Sequence, residues 1–322
     1  MAFEYLLEHG TSEMKKKVLE SLIDSYEGLI KLTTKVPDEI LELKNRIRKV
    51  VCYGDKLKEL PLCITKLELV ESLNLGWSNF SKLPKEISEL RNLKTLILNL
   101  VSFKKFPLEI LGVHGLETLG LHKSKGEQFM TEINRISQLK SLKELDLKFN
   151  QISEFPMGIL ELENLESLNL SYIGISRLPD EMKKLKKLKN LSLMSNPIHN
   201  FPMEILELEN LEELDIANIG ITELPDEIKR LKNLKVLNLH CLSVDKNENK
   251  FEAFLPAISG LVNLEELGLN LKSLKQNLEI ISSLTNLKRI IVRSKLFNDI
   301  KIETLSIIVK EKLPQCEVTL EE

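Results

Sequence analysis

Apolar residues recur along the chain in a fixed rhythm. The pattern L-x-x-L-x-L, followed by an apolar pair and Pro, starts at Ile47, Val70, Leu93, Leu116, Leu142, Leu165, Leu188, Leu211, Leu234, Leu264, Leu287 and Leu313. Eight of the eleven steps are 23 residues, and the others are 26, 30 and 26. In Leu211-Glu-Glu-Leu214-Asp-Ile216, Leu214 and Ile216 point one way and Glu213, Asp215 and Ala217 the other. That is a period-2 strand with one polar face. Parallel sheets usually bury both faces, so the polar alternates predict a sheet left open on one side. Leu224-Pro225-Asp226-Glu227-Ile228 then predicts a short helical turn, with carboxylates near its N-terminus and Ile228 and Leu231 facing inward. One such unit cannot bury its own leucines, whereas stacked units share a continuous core.

The fuller unit, L-x-x-L-x-L-x-x-(N/I)-x-I-x-x-(L/F)-P-x-x-I-x-x-L-x-x at 188–210 and 211–233, resembles the leucine-rich repeat family. It is similar to the 23-residue type of Ras-suppressor-like scaffolds and of bacterial, including leptospiral, leucine-rich proteins. The resemblance covers residues 47–320. It implies an α/β fold: a curved solenoid, or horseshoe, with a concave parallel sheet and short helices or turns on the convex side. Residues 1–46 lack the strand motif. Val18, Leu19, Leu22, Ile23, Tyr26, Leu29 and Ile30 follow helical spacing, and predict a helical N-terminal cap. Residues 47–322 form the array, of about twelve strand units. A helix through Ile302, Leu305, Ile308 and Val309 and a terminal strand at Leu313, Cys316 and Val318 close it, as a C-terminal cap over about 300–322.

Three departures from the repeat carry information. The family's asparagine occurs at Asn150 and Asn196, while Ile173 and Ile219 take its place in alternate units, so backbone bonding there must be rearranged. Charges alternate between successive tails. At a 23-residue offset, Glu161, Lys184, Glu207 and Arg230 form one row, Glu163, Lys186, Glu209 and Lys232 a second, and Lys143, Glu166, Lys189, Glu212 and Lys235 a third. A one-coil slip would set like against like. Two units are longer, through Phe129–Ile136 and through Asp245–Lys250 with Phe251 and Phe254. Such insertions either sit on a tolerant rim or form binding loops.

Composition agrees with an array: 64 of 322 residues are leucine, and 5% are aromatic. A net charge of −3 gives no electrostatic reason to expect nucleic acid or an anionic membrane. No apolar run is long enough to span a bilayer, and no signal peptide is recognisable, so a cytoplasmic protein is expected, with export by another route left open. Cys52, Cys63, Cys241 and Cys316 are too scattered for a disulfide framework or a CxxC metal site. The sequons at Asn79, Asn169 and Asn190 are incidental without secretion.

Candidate function lies with non-leucine residues on the open face. Val51, Tyr53, Trp77, Ile97 and Leu100 place apolar side chains on outward positions of consecutive coils, either as interface anchors or beneath the N-terminal cap. Phe149 and Tyr172 occupy equivalent places farther along, flanked by Glu144, Asp146, Asn169, Asn190 and Met194, and Glu213 and Asp215 extend the acidic character. These residues point to a non-catalytic, monomeric scaffold that binds a protein or peptide, of basic or mixed charge, on its concave face. The alternative is a bacterial surface or host-directed binding protein. A hydrolase using Glu144 and Asp146, at glycosidase-like separation, is the weakest reading, because no loops enclose the pair. No cofactor or metal is expected. His122 and His240 stand five coils apart and cannot share an ion. No Gly-rich phosphate loop, GxSxG or HExxH occurs.

Overall fold

The computed structural model describes residues 2–25, 28–32, 36–54, 58–101, 103–123, 127–221, 223–240, 255–293 and 302–321. The chain divides into two compact units, residues 1–151 with 156–165 and residues 152–155 with 166–322. In the first, strands β1 (Leu29–Leu32), β2 (Lys49–Cys52), β3 (Ser72–Asn74), β4 (Thr95–Ile97), β5 (Thr118–Gly120) and β6 (Glu144–Asp146) lie side by side in chain order, all parallel. With them go helices α1 (Ala2–His9), α2 (Ser12–Ser25), α3 (Leu62–Thr65) and α4 (Glu127–Glu132). The second unit repeats the arrangement with β7 (Ser167–Asn169), β8 (Asn190–Ser192), β9 (Glu213–Asp215), β10 (Val236–Asn238), β11 (Glu266–Asn270), β12 (Arg289–Arg293) and β13 (Glu317–Glu321). Its helices are α5 (Leu255–Ile258), α6 (Leu271–Ile281) and α7 (Ile302–Lys312).

Leucine sets the register. Leu73, Leu96 and Leu119 are partners across β3–β5, and Leu168, Leu191, Leu214 and Leu237 across β7–β10, all buried. Strands β3, β6, β7, β9 and β10 end on Asn or Asp and are three residues long. Asn169 Oδ1 accepts from Ser171 N–H at 3.0 Å, and Asp215 Oδ1 from Ala217 N–H at 3.0 Å. This turn bends the chain away from the sheet. The return leg enters through Pro, whose carbonyl accepts from the residue three on: Ile205 N–H to Pro202 O at 3.1 Å, and Ile228 N–H to Pro225 O at 3.0 Å. The resulting 3-10 turns, Met203–Glu207 and Asp226–Arg230, bury Ile205 and Ile228 beneath the strands.

The alternation of Asn and Ile now has a physical account. Asn196, 3% exposed, donates to Leu193 O at 2.7 Å in its own coil and to Leu170 O at 2.8 Å in the coil before. Its Oδ1 accepts from Gly174 N–H and Ile175 N–H at 2.9 and 3.2 Å. One asparagine thus serves two coils, and its neighbour can be Ile173. A second asparagine ladder escaped the sequence reading. The residue before the first motif leucine donates to a carbonyl of the preceding coil: Asn92 to Glu68 O, Asn164 to Lys140 O, Asn210 to Lys186 O, Asn233 to Glu209 O, Asn263 to Lys232 O and Asn286 to Val262 O, at 2.7–3.0 Å. Asn210→Ala removes one such bond at an exposed site and should cost about 1 kcal/mol in chemical denaturation. A neutral outcome would make the ladder ornamental.

The third charge row closes in part, at Lys189–Glu166 and Lys235–Glu212, 2.6–2.7 Å. Pairs at the same offsets but outside the expected row, Arg48–Glu71, Lys143–Glu117 and Lys288–Glu265, close at 2.7–2.8 Å. Of the first row, Arg230–Glu207 closes at 3.0 Å. In the second row it is the backbone carbonyls of Lys186, Glu209 and Lys232 that are used, by the asparagine ladder. Hydrogen bonds from Lys143 and Lys288 hold the Glu117 and Glu265 carboxyls below the usual carboxylate range, and the bond that Lys189 donates to Glu166 raises Lys189. A lowered carboxylate contributes stability above its unfolded pKa and loses it as pH falls through the folded value. A raised lysine loses its share only in strong alkali. The row should therefore hold at neutral pH, weaken on acidification, and soften in molar salt, because the pairs are exposed. Melting temperatures insensitive to both would contradict this.

Leu29 and Ile30 do not continue the helix as their spacing predicted. Gly28, at φ +82°, ends the helical segment, and β1 then pairs with β2 through Ile30 and Val50. Only glycine adopts that left-handed turn without cost. The proposed cap, residues 1–46, therefore contributes a strand as well as helices. At the other end β13 starts after Leu313 and Cys316, which are buried in the turn leading into it. The first insertion builds α4, whose Phe129 is buried with its ring 6.0 Å from that of Phe106. It is a core element. Tyr26, Cys241, Asp245–Lys250, Phe251 and Phe254 lie outside the described residues.

Candidate functional site

The expected anchors stand off the strands. Trp77, Leu100, Phe149 and Tyr172 each lie three residues beyond a strand end, on the turn, and all have left-handed backbones, with φ of 56–62°. Lys123, Ser195 and Asn218 share the position and the conformation. The cause is the backbone ladder continuing round the turn: Trp77 N–H donates to Asn99 O at 2.9 Å, Leu100 N–H to His122 O at 3.2 Å, and Tyr172 N–H to Met194 O at 2.9 Å. A non-glycine residue held there costs about 1–2 kcal/mol, most for bulky side chains.

In the first unit this rim presents Trp77 at 73% exposure and Phe149 at 41%, with Leu100 half-buried between the two in sequence. The cap does not cover Trp77. Lys123 Nζ sits 6.0 Å from the Phe149 ring centroid. Tyr53, 41% exposed, directly follows β2, while Val51 and Ile97 are half-buried outward residues of β2 and β4. Below the rim, Asn99 Oδ1 is buried against Gly120 and has no hydrogen-bond partner among the described residues. Glu144 is exposed and accepts from Thr118 Oγ1 at 3.3 Å.

Asp146 is largely committed. Its Oδ1 accepts from Lys148 N–H at 3.0 Å, and its Oδ2 lies 2.6 Å from His122 Nε2 and 3.8 Å from Lys148 Nζ. That leaves it poorly placed to work with Glu144 as an acid–base pair.

In the second unit, outward residues of β7–β12 line a shallow groove of about 410 Å³. Asn169, Asn190, Ser192, Glu213, Asp215, Asn238 and Glu266 face it, and no Lys or Arg lines it. Ser192 Oγ donates to Asp215 Oδ2 at 3.2 Å and lies 2.7 Å from Ser171 Oγ. Asn169 therefore does structural work through Oδ1, whereas Asp215 accepts hydrogen bonds through both carboxylate oxygens. Glu213 is exposed. Tyr172, 37% exposed, stands on the rim. His240 is buried between Asn238 Oδ1 and Ile291 O.

Buried thiols offer no nucleophile: desolvation pushes Cys52 up to about 12 and Cys316 to about 11, and Cys63 is raised too. Among the described residues no group of three or more His, Cys, Asp or Glu could hold a metal ion, and no helix is long and apolar enough to cross a membrane.

Sequence reasoning placed the anchors on strands because alternation alone carries no trace of the left-handed turn. The usable signal was the recurrence of Trp77, Leu100, Phe149 and Tyr172 at one position of the repeat.

A family profile described as a leucine-rich repeat region matches residues 134–300. The chain is 31% identical to a leucine-rich repeat protein of Leptospira interrogans, over 88% of this chain and 74% of that one, with a TM-score of 0.61. An internalin of Listeria monocytogenes, 16% identical over 99% of this chain and 93% of its own, has a TM-score of 0.60 and shares the fold. No curated protein matches the chain. Repeat spacing, parallel leucine-registered strands, the profile and the leptospiral similarity agree: the chain belongs to the leucine-rich repeat family, whose usual role is to bind other proteins.

Proposed function

We propose that the chain is a non-catalytic protein-recognition scaffold that binds a protein or peptide through the open sheet face and its rim. The observation that carries this is the exposure of Trp77, Phe149 and Tyr172 on left-handed backbone. Large apolar side chains are held where glycine or asparagine would be more stable and where they bury little surface of their own. Trp and Tyr are the residues that most often anchor protein interfaces. Tyr53, Ile97 and Leu100 widen the patch of the first unit, and Glu144 adds an exposed carboxylate. Glu213 and Asp215, in a groove without lysine or arginine, favour a basic or mixed-charge segment. Commitment of Asp146 to Lys148 and His122 counts against hydrolysis.

Partner capture by proximity labelling in the native cell, with the wild-type chain and with Trp77→Ala plus Tyr172→Ala, tests the reading. Loss of the specific partners is expected; an unchanged partner list would sink the proposed surface. A second reading, a bacterial surface or host-directed binder of the same chemistry, is favoured by the bacterial source of both similar structures. Cell fractionation separates the two.

A further inference from the structure

We propose that the groove of the second unit reads the main chain of its guest: Asn169 and Asn238 donate from their side-chain amides to backbone carbonyls of an extended segment laid across β7–β10, and Glu213 takes a lysine or arginine side chain of that segment. The proposal rests on the open-face reading and sharpens it. Both asparagines line the groove, each at the last residue of its strand. Asn169 Oδ1 is held by Ser171 N–H at 3.0 Å and Asn238 Oδ1 by His240 N–H at 3.2 Å, which settles the end of each amide that faces the turn. The Nδ2 groups are left to the groove, and neither bonds another described residue. Donors already pinned through their own oxygens lose little freedom when a guest arrives.

Spacing suits an extended chain. β7 and β10 are three strand steps apart, a separation of about 14 Å. An extended chain turns both the N–H and the C=O of every second residue to one edge, so carbonyls four residues apart on that edge are separated by about 13.5 Å. A guest standing on edge across the strands thus meets both amides at once. Between them Asp215 is an acceptor only, the polarity that the guest's own N–H groups need. Donor, acceptor and donor along one column of the sheet match the edge of a strand.

Standing on edge sends the guest's side chains along β7–β10, toward Glu213 on one side and the Tyr172 rim on the other. Charge selects the residue on the first side. Glu266 is paired with Arg289, and Asp215 accepts from Ala217 N–H and Ser192 Oγ. Lys235, which interacts with the Glu213 charge, is bonded to Glu212 at 2.6 Å. Glu213 is exposed and no Lys or Arg lines the groove, so its carboxylate is open to a guest cation.

The test probes an array of random heptapeptides with the labelled full chain, and measures the strongest binder by anisotropy. Lysine or arginine should be enriched at one interior position. Asn169→Asp and Asn238→Asp each keep the turn, since Asp215 makes the same bond to Ala217 N–H, and each exchanges a groove-facing donor for an acceptor. Electrostatics alone would tighten a basic peptide on the added carboxylate. Loss of the donor should instead weaken it about tenfold, with the melting temperature unchanged. If a variant melts lower, an ester scan of the peptide decides: ester carbonyls accept poorly, and should weaken binding at every second bond only. Peptides without basic enrichment, binding unchanged or tighter in either variant, an ester scan without alternation, or an array without a binder would each overturn the proposal. The open-face reading would still stand or fall separately, on partner capture with Trp77→Ala plus Tyr172→Ala.

Discussion

Asn196→Ile should lower the unfolding free energy by about 3–5 kcal/mol, the largest stability effect expected of a single substitution in the second unit. Isoleucine is the residue that fills the same place at Ile173 and Ile219, so its volume is tolerated by the coil. What disappears is bonding. Leu170 O and Leu193 O lose their side-chain donor, and Gly174 N–H and Ile175 N–H lose their acceptor, where Leu170, Leu193 and Ile175 are buried and Gly174 is exposed. Each unsatisfied buried group costs about 1–3 kcal/mol, less for carbonyls that keep a second bond. Denaturant titration gives the total. Hydrogen exchange localises it, because the amides of Gly174 and Ile175 should lose protection while that of Ile152, bonded to Ile173 O, keeps it. A loss below 1 kcal/mol with both amides still protected would show that asparagine is dispensable there.

Trp77→Asn should move stability and binding in opposite directions. Asparagine is among the few non-glycine residues at ease in the left-handed region, and Trp77 buries little, so the variant should gain about 0.5–1 kcal/mol of stability. Affinity for the captured partner should fall about 30-fold or more, as for loss of a central aromatic anchor. Phe149→Asn should behave alike, since its backbone is the same and its ring is 41% exposed. A stabilised variant with undiminished binding would mean that the strained aromatics serve something other than this partner. A destabilised one would mean that the indole packs more than its exposure suggests.

Leucine spacing made the coils, the parallel order and the register legible from the chain alone, because side-chain burial in a stacked array repeats at every turn of the chain. The same spacing misled at Leu29 and Ile30, where a single glycine outweighs helical periodicity. It also exposed the candidate surface without its geometry. Trp77, Phe149 and Tyr172 stood out as non-leucine residues at recurring positions, yet the left-handed backbones of Trp77 and Tyr172 are held by hydrogen bonds to the next coil. No propensity of tryptophan or phenylalanine announces that conformation.

The sequence by itself determined the repeat, the inward leucines and the alternating charges that close as Lys189–Glu166 and Lys235–Glu212, since each depends on contacts at a constant offset along the chain. Only the tertiary structure decided which groups share a partner. Asn196 bonds two coils, Asp146 is drawn to His122 and Lys148, and Trp77 is turned outward. Hydrogen bonds between coils join residues more than twenty apart and depend on angle as well as spacing, so they become visible only when the coils are stacked.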